Sequence, residues 1–216
     1  MSGVLIEVDW PAPANVVAGT TTRSATNDDL PPDLRFLNQV HGAAVVTSAQ
    51  VREAAAALDA DAVTGGEPGD CCAVRTADCL PVLFCSRGGE RIGAAHAGWR
   101  GLAAGVLENT AAAMSVPAGD LLAWLGPAIS QANFEVGEEV RAAFLEHDPA
   151  ADRHFDENPG GRWQADLYGL ARQRLRACGV EAIYGGGWCT YGDEARFFSY
   201  RRAADAGRMV SFVALK

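Results

Sequence analysis

Short apolar runs separated by glycine, proline and charged residues dominate the chain, and most are too short for a helix. Such runs, when rich in β-branched and aromatic residues, predict strands. The predicted strands cover residues 4–8, 16–23, 36–46, 71–75, 81–85, 92–95, 121–125, 182–184, 196–200 and 209–215, and residues 59–64 lead into another.

Apolar residues recur at helical spacing in only a few segments. The predicted helices cover residues 50–58, 102–114, 135–147 and 163–178. Strands and helices alternate irregularly, without the regular βαβ order that a parallel sheet requires. The pattern therefore predicts a single α+β domain over residues 1–216, with a mixed β-sheet core and flanking helices.

Two of the apolar runs predict a β-hairpin that brings reactive side chains together. Residues 81–85 and 92–95 are joined by a glycine-containing turn at 87–90. Cys79 precedes the first run and His96 follows the second. If the two strands are antiparallel neighbours, both residues lie at the same end of the pair and face each other. The alternative is that Cys79 is a small buried apolar residue and His96 a hydrogen-bonded strand end.

The segment after His96 suggests an anion site. Residues 97–101 form a loop with two glycines, directly ahead of the predicted helix. Helix N-termini present free backbone N–H groups, and Arg100 adds a bidentate cation. Arg201 and Arg202 follow an aromatic cluster near the C-terminus. They are either surface arginines or a clamp on an anionic group.

Composition narrows the choice of partners and compartment. Lys+Arg number 18 against 27 Asp+Glu, a net charge of −9 that repels phosphate backbones, so we expect no nucleic acid partner. The first residues lack the basic and apolar regions of a secretory signal. No run reaches the roughly 18 apolar residues of a membrane span, so we expect no membrane partner. Six cysteines without a signal sequence predict reduced thiols in the cytoplasm.

Several motifs together resemble a known family. They are QVHG at 39–42, ADCLPVLF at 77–84, HAGWRG at 96–101, LGPAI at 125–129, FEVG at 134–137, CT at 189–190 and FFSYRR at 197–202. In this order they resemble the bacterial laccase-domain family, whose members have been called polyphenol oxidases, peptidoglycan editing factors and purine nucleoside phosphorylases. The likeness extends from about Ala18 to the C-terminus. Residues 24–34 look shorter than the matching segment of the family.

The resemblance implies a fold and a metal site. The fold would be the cysteine-hydrolase-like laccase-domain fold. The metal and catalytic residues would be His41, Cys79 and His96, although a lone histidine in the setting of His41 is more often structural. Two imidazoles and a thiolate suit zinc and leave one coordination position open, as in catalytic zinc sites. Copper accepts the same ligand types, but four histidines are too few for a multicopper oxidase.

The resemblance also implies small-molecule substrates, namely purine nucleosides and phosphate. The implied reaction is phosphorolysis of adenosine, inosine or methylthioadenosine, and in some members deamination of adenosine. Arg100 and Arg202 are the predicted phosphate ligands, with Arg23 a weaker one. Asp78 would orient a ligand, carry a proton or cap its turn.

Three other functions stay open at this point. One is a cysteine hydrolase, with Cys79 as nucleophile, acting on peptidoglycan precursors. Another is a copper-dependent polyphenol oxidase. The last is a metal-binding domain without catalysis. Measurements of metal content and of turnover distinguish these alternatives from a zinc-dependent nucleoside enzyme.

Overall fold

The structure, a computed structural model, describes residues 3–32, 34–205 and 207–216. These residues form a single α+β domain, as the sequence predicts. The strands are β1 (Leu5–Glu7), β2 (Val16–Thr21), β3 (Val45–Thr47), β4 (Ala62–Gly65), β5 (Cys71–Thr76), β6 (Leu80–Ser86), β7 (Ile92–Ala97), β8 (Leu121–Leu125), β9 (Glu135–Val136), β10 (Phe155–Glu157), β11 (Trp163–Ala165), β12 (Ala182–Gly185) and β13 (Met209–Leu215). The helices are α1 (Ser48–Glu53), α2 (Trp99–Ala103), α3 (Val106–Ala113), α4 (Glu138–His147) and α5 (Leu167–Ala177).

A six-stranded mixed sheet forms the centre of the domain. Its strand order is β12-β8-β6-β7-β4-β3, with parallel pairs at both edges and antiparallel pairs between them. A four-stranded antiparallel sheet, β1-β2-β13-β5, packs on one face of it, and a three-stranded sheet, β10-β11-β9, contributes buried residues to the core on the other face. The mixed sheet expected from the sequence is confirmed.

Strand β6 is buried on both of its faces, which explains its unbroken apolar sequence. Leu80, Val82 and Phe84 belong to the core that includes α3 and α5. Leu83 and Cys85 belong to the core under the four-stranded sheet. Strands covered on both faces are continuously apolar instead of alternating. This almost continuous apolar run therefore lies in the middle of the molecule.

The predicted hairpin is confirmed, with one change at its end. Strands β6 and β7 are antiparallel, with Leu80 opposite Ala97 and Pro81 opposite His96. His96 thus lies inside β7 instead of after it. Because Cys79 directly precedes β6, the thiol and the imidazole still meet at the same end of the pair.

The predicted helix over 102–114 is two helices. Helix α2 already begins at Trp99 and stops at Ala103, and α3 follows from Val106. Gly105 between them has a left-handed backbone with φ 92°, a conformation that glycine adopts without steric cost. Arg100 therefore lies within a five-residue helix, not ahead of a long one.

Other predicted element boundaries differ from those in the structure, because a side chain or a short strand competes there with the predicted helix or strand. Residues 54–58 leave the helix predicted over 50–58. Residues 135–136 and 163–165, predicted as helical starts, pair with each other as β9 and β11. Residues 36–44 carry only the isolated bridge between Asn38 and Asp59, so the strand predicted over 36–46 is reduced to β3.

The strand predicted over 196–200 is absent from the described structure, where residues 197–199 are irregular and lie between turns. Side-chain acceptors replace the strand partners there. Ser199 and the Arg201 backbone donate to Asp78, and the Arg196 backbone donates to Asp193.

All six cysteines are free thiols. In the part of the chain that the structure describes, none of the helices has both the length and the apolar surface that crossing a bilayer requires.

Candidate active site and metal centre

Three side chains from distant parts of the chain converge at the end of the hairpin. His41, Cys79 and His96 each offer one ligand atom, and these atoms lie within 4.8 Å of one another. The two imidazole rings meet edge to face, with centroids 4.8 Å apart. The convergence expected from the sequence is therefore present.

His41 is held in place by its backbone. It lies in the loop before β3 with a positive φ of 61°, which is uncommon for a residue with a side chain. The buried carboxylate of Asp61 accepts hydrogen bonds from the backbone N–H groups of Val40, His41 and Gly42, at 3.2, 2.9 and 2.7 Å. These three bonds stabilise the turn that points His41 at the cluster.

The same carboxylate orients His96. Asp61 is fully buried, and its Oδ1 lies 2.7 Å from His96 Nδ1. The His96 backbone N–H also donates to the Asp61 carbonyl at 2.7 Å. With Nδ1 engaged in this way, Nε2 is the nitrogen left for the cluster. A carboxylate behind a metal-binding histidine is a common arrangement, because it fixes the ring and its tautomer.

Ionisation of this pair follows from its contacts. Burial raises the pKa of Asp61, but the hydrogen bonds from His96 and from the Gly42 backbone outweigh it and leave the pKa lowered. Burial lowers the pKa of His96, but Asp61 and Cys79 outweigh it and raise the pKa to about 9. In the metal-free protein His96 is therefore an imidazolium at neutral pH.

Cys79 lies at a tight junction between two elements. It follows Asp78, whose φ is 94°, and it faces Gly98 at the start of α2. A Cβ on Gly98 would lie 3.0 Å from the Cys79 sulfur and 3.1 Å from His41 Cδ2. Glycine at this position lets the α2 backbone approach the cluster closely. Burial raises the pKa of the thiol, but hydrogen bonds with His41 and His96 outweigh it and lower the pKa to about 6.

Thiol reactivity tests this electrostatic picture. In the metal-free protein we expect Cys79 to react with iodoacetamide along a pH curve with its midpoint near 6, because the thiolate predominates above that pH. The rate is measured by mass spectrometry of the labelled peptide.

Other cysteines supply the controls for that measurement. Burial raises the pKa of Cys71 to about 11 and of Cys85 to about 12. Burial acts in the same direction on Cys189, but hydrogen bonds from Ser130 and other neighbours outweigh it and lower its pKa. Labelling must therefore be assigned by peptide. A midpoint above 8 for the Cys79 peptide contradicts the thiolate.

A cleft of about 760 Å³ opens over the cluster. That size is within the range of small-molecule sites, about 300–1,000 Å³. Its wall contains the three clustered side chains together with Asp78, the aromatic residues Trp99, Phe134 and Tyr200, and the arginines Arg75, Arg100, Arg201 and Arg208.

Of the four predicted substrate ligands, the structure places two in this cleft. Arg100 is exposed on the wall, and its guanidinium lies over the Trp99 ring at 4.4 Å. Asp78 also lines the cleft, but its carboxylate accepts hydrogen bonds from Thr190, Ser199 and the Arg201 backbone, at 2.6, 3.0 and 2.7 Å. Through these hydrogen bonds, Asp78 connects the turn at Cys79 to the loop at Arg201.

The other two predicted ligands do not line the cleft. Arg202 donates to the backbone carbonyls of Thr190, Tyr191 and Phe197, which fixes the loop around it. Arg23 lies over the Phe198 ring and donates to the Glu194 carbonyl.

The family of this chain follows from its similarity to known proteins. A family model described as multi-copper polyphenol oxidoreductase laccase matches residues 12–216. The chain belongs to this laccase family. It is 48% identical to a purine nucleoside phosphorylase of Pseudomonas aeruginosa, over 96% of this chain and 97% of that protein. It is 51% identical to the purine nucleoside phosphorylase YfiH of Escherichia coli, over 86% of this chain and 75% of that protein.

Solved structures of this laccase family share the fold. A Neisseria meningitidis protein superposes with a TM-score of 0.90 at 43% identity, covering 98% of this chain and 99% of that one. YlmD of Geobacillus stearothermophilus superposes with a TM-score of 0.86 at 25% identity, covering 100% of this chain and 97% of that one.

The donor set of this laccase-family chain fits one metal ion. Ligand atoms within 4.8 Å of one another reach a common ion at about 2.0–2.3 Å with small side-chain rotations. Among the described residues, no second group of three or more histidine, cysteine or acidic side chains is close enough to hold a metal. His147 and His154 lie elsewhere, at the end of α4 and in the next turn. The described residues therefore match a mononuclear site better than the several coppers in the family's description.

The sequence alone does not identify two kinds of residue that the structure places at or behind this site. Asp61 directly precedes β4 and looks like any polar residue before an apolar run. Arg75 lies near the end of β5 and Arg208 directly precedes β13, and exposed arginines are common at strand ends. Only the pairing of β5 with β13 shows that Arg75 and Arg208 reach the cleft, and only the hydrogen bonds with the His41 loop and His96 show that Asp61 supports the cluster.

Proposed function

We propose that the protein is a zinc-dependent purine nucleoside phosphorylase that cleaves adenosine, inosine and methylthioadenosine. One observation carries this proposal: the His41, Cys79 and His96 cluster forms the floor of an arginine-lined cleft of nucleoside size. The names of relatives that are 48% and 51% identical support the reaction class. Phosphorolysis breaks the C1′–N9 bond, forms a C1′–O bond to phosphate, and leaves a proton on the base.

The proposed roles of the residues follow from their positions. His41, Cys79 and His96 would hold the zinc, which supplies Lewis-acid chemistry when bound. Asp61 holds the His96 ring and the His41 loop in the positions that zinc binding requires. The Trp99 and Tyr200 side chains, which are half-buried and exposed on the cleft wall, offer aromatic surface for the purine. Arg100, exposed beside them, would bind the attacking phosphate, and holding the two reactants together supplies several kcal/mol of barrier lowering.

Phosphate dependence tests the reaction. We expect the zinc-loaded protein to release free base from adenosine or inosine only when phosphate is present, as measured by chromatography. Arg100→Ala should raise the KM for phosphate about 10-fold or more, as loss of a charged hydrogen bond does. Arg100→Lys should recover part of that loss, because lysine lacks the bidentate fork. Arg176→Ala, an exposed change on α5, is the matched control.

The other outcomes identify other enzymes. Base release at the same rate without phosphate would make the protein a hydrolase. Conversion of adenosine to inosine with release of ammonia would add the deaminase activity implied by the family resemblance. Unchanged phosphate KM in both Arg100 variants would remove Arg100 from the phosphate site.

A second function has one specific observation in its favour. In the metal-free protein Cys79 has a pKa of about 6 beside the protonated His96, which is how cysteine nucleophiles are activated. A cysteine hydrolase acting on peptidoglycan precursors would use this pair without metal. Activity that survives complete removal of zinc would favour it over the phosphorylase.

A further inference from the structure

The cleft is strongly basic although the chain is acidic. The whole protein carries a net charge of −9, yet four arginines line this one cleft, with Asp78 as its one acidic wall residue among those described. Asp78 is already occupied by three hydrogen-bond donors. A cleft lined by one sign of charge concentrates ligands of the opposite sign. The charge therefore points to a ligand with more than one anionic group.

The arginines are positioned for a ligand by aromatic rings. Arg75 lies over Phe36 at 4.8 Å, and Arg201 lies over Phe134 at 5.6 Å. Among the described residues, neither forms a salt bridge with a carboxylate. The Arg201 guanidinium donates to one backbone carbonyl, that of Glu135. Stacking thus orients both cations and leaves N–H groups available for an oxyanion.

The arginines come from two separate parts of the fold. Arg100 belongs to α2, beside the metal cluster. Arg75 is the next-to-last residue of β5, and Arg208 directly precedes β13 at the same end of that strand pair, where Thr76 is opposite Met209. Asp78 binds the Arg201 backbone and so ties Arg201 to this end as well. The cleft therefore has one basic group at α2 and another at the β5–β13 end.

We infer that Arg75 and Arg201 form a second anion subsite, which takes the 5′-phosphate of a purine nucleoside monophosphate. This inference rests on the proposed phosphorylase, with inorganic phosphate bound at Arg100. The reaction of adenosine 5′-monophosphate then breaks the C1′–N9 bond and forms a bond from C1′ to a phosphate oxygen. The proton of hydrogen phosphate ends on the adenine, and the products are adenine and ribose 1,5-bisphosphate.

Two measurements test the subsite. The first compares kcat/KM for adenosine 5′-monophosphate and adenosine with the zinc-loaded protein at fixed phosphate. The second compares the Kd of both compounds with the metal-free protein by calorimetry. We expect the monophosphate to be cleaved and to bind about 10-fold or more tightly than adenosine, as charged hydrogen bonds do. Arg75→Gln should lower that preference about 10-fold in both measurements. Arg176→Gln, with the same charge change on α5, should not alter it.

The remaining outcomes overturn the inference in distinguishable ways. Cleavage of adenosine without cleavage or tighter binding of the monophosphate leaves the phosphorylase and removes the subsite. A raised KM for inorganic phosphate in Arg75→Gln, with an unchanged preference between the two compounds, assigns Arg75 to inorganic phosphate instead. If neither compound is cleaved, the proposed function fails, and the metal-free Kd values still decide whether the phosphate group is recognised.

Discussion

Replacing Cys79 by alanine is expected to abolish zinc retention and nucleoside cleavage together, while the protein stays folded. The thiolate is one of three ligands, and two imidazoles alone leave a zinc site incomplete. The change removes a single small side chain, so the free energy of unfolding should fall by only about 1–2 kcal/mol. Zinc content is measured by elemental analysis after gel filtration, and stability by chemical denaturation of the metal-free proteins.

The matched control is Cys178→Ala, which removes a half-buried thiol from the end of α5. It should keep both zinc and turnover. A Cys79→Ala protein that keeps full turnover would show that Cys79 is only a packing residue. A variant that keeps zinc but loses turnover would instead favour a nucleophilic role for the thiol. The three results separate the phosphorylase, the structural alternative and the cysteine hydrolase.

Much of the fold is predictable because the central strands can be recognised from their own residues, without knowledge of their partners. The apolar runs 81–85 in β6, 92–95 in β7 and 121–125 in β8 are buried on both faces, so no polar side chain interrupts them. The turn at 87–90 connects the neighbouring strands β6 and β7 directly. This local connection is why the sequence alone predicts that Cys79 and His96 lie close together. The break at Gly105 also had a signal, since a glycine inside a helical pattern marks a weak position.

The rest of the site depends on contacts between distant segments. His41 reaches the cluster because a carboxylate that is 20 residues later in the chain binds its backbone. Arg75 and Arg201 share a cleft because β5 pairs with β13 and because Asp78 binds the loop around Ser199. Periodicity carries no information on such pairings. The sequence predicts Arg202 as a phosphate ligand, whereas the structure places Arg201 in the cleft, because adjacent arginines cannot be distinguished without the conformation of the loop.

Replacing Asp61 by asparagine is expected to damage the metal site more than any other change outside its ligands. The two carboxylate oxygens share four N–H donors. Oδ1 accepts from the His41 backbone and faces His96 Nδ1, and Oδ2 accepts from the Val40 and Gly42 backbones. An asparagine has one oxygen and one NH₂ group. Whichever way it turns, the NH₂ group faces two donors, so either His96 or the His41 loop loses its support.

The expected size of the effect follows from the burial of this pair. Loss of a partner behind a metal-binding histidine lowers metal affinity about 10–100-fold, measured here by competition for zinc with a chromophoric chelator. Breaking a buried charge pair costs about 3–5 kcal/mol of stability. Asp59→Asn is the matched control, because Asp59 is exposed and its carboxylate accepts a hydrogen bond from the Asn38 side chain.

The pH dependence of the metal-free proteins gives this prediction a signature of its own. Asp61 has a lowered pKa, so the stability it contributes is present above its ordinary value of 3.8 and is lost as the pH falls through the lowered value. His96 has a pKa raised to about 9, so its contribution is present below 6.5 and is lost as the pH rises through 9. The stability difference between the parent protein and Asp61→Asn should therefore be largest between about pH 4 and pH 6.5, and should shrink below and above that range. A difference that stays constant from pH 4 to pH 10, with unchanged zinc affinity, would show that Asp61 and His96 are ordinary core residues.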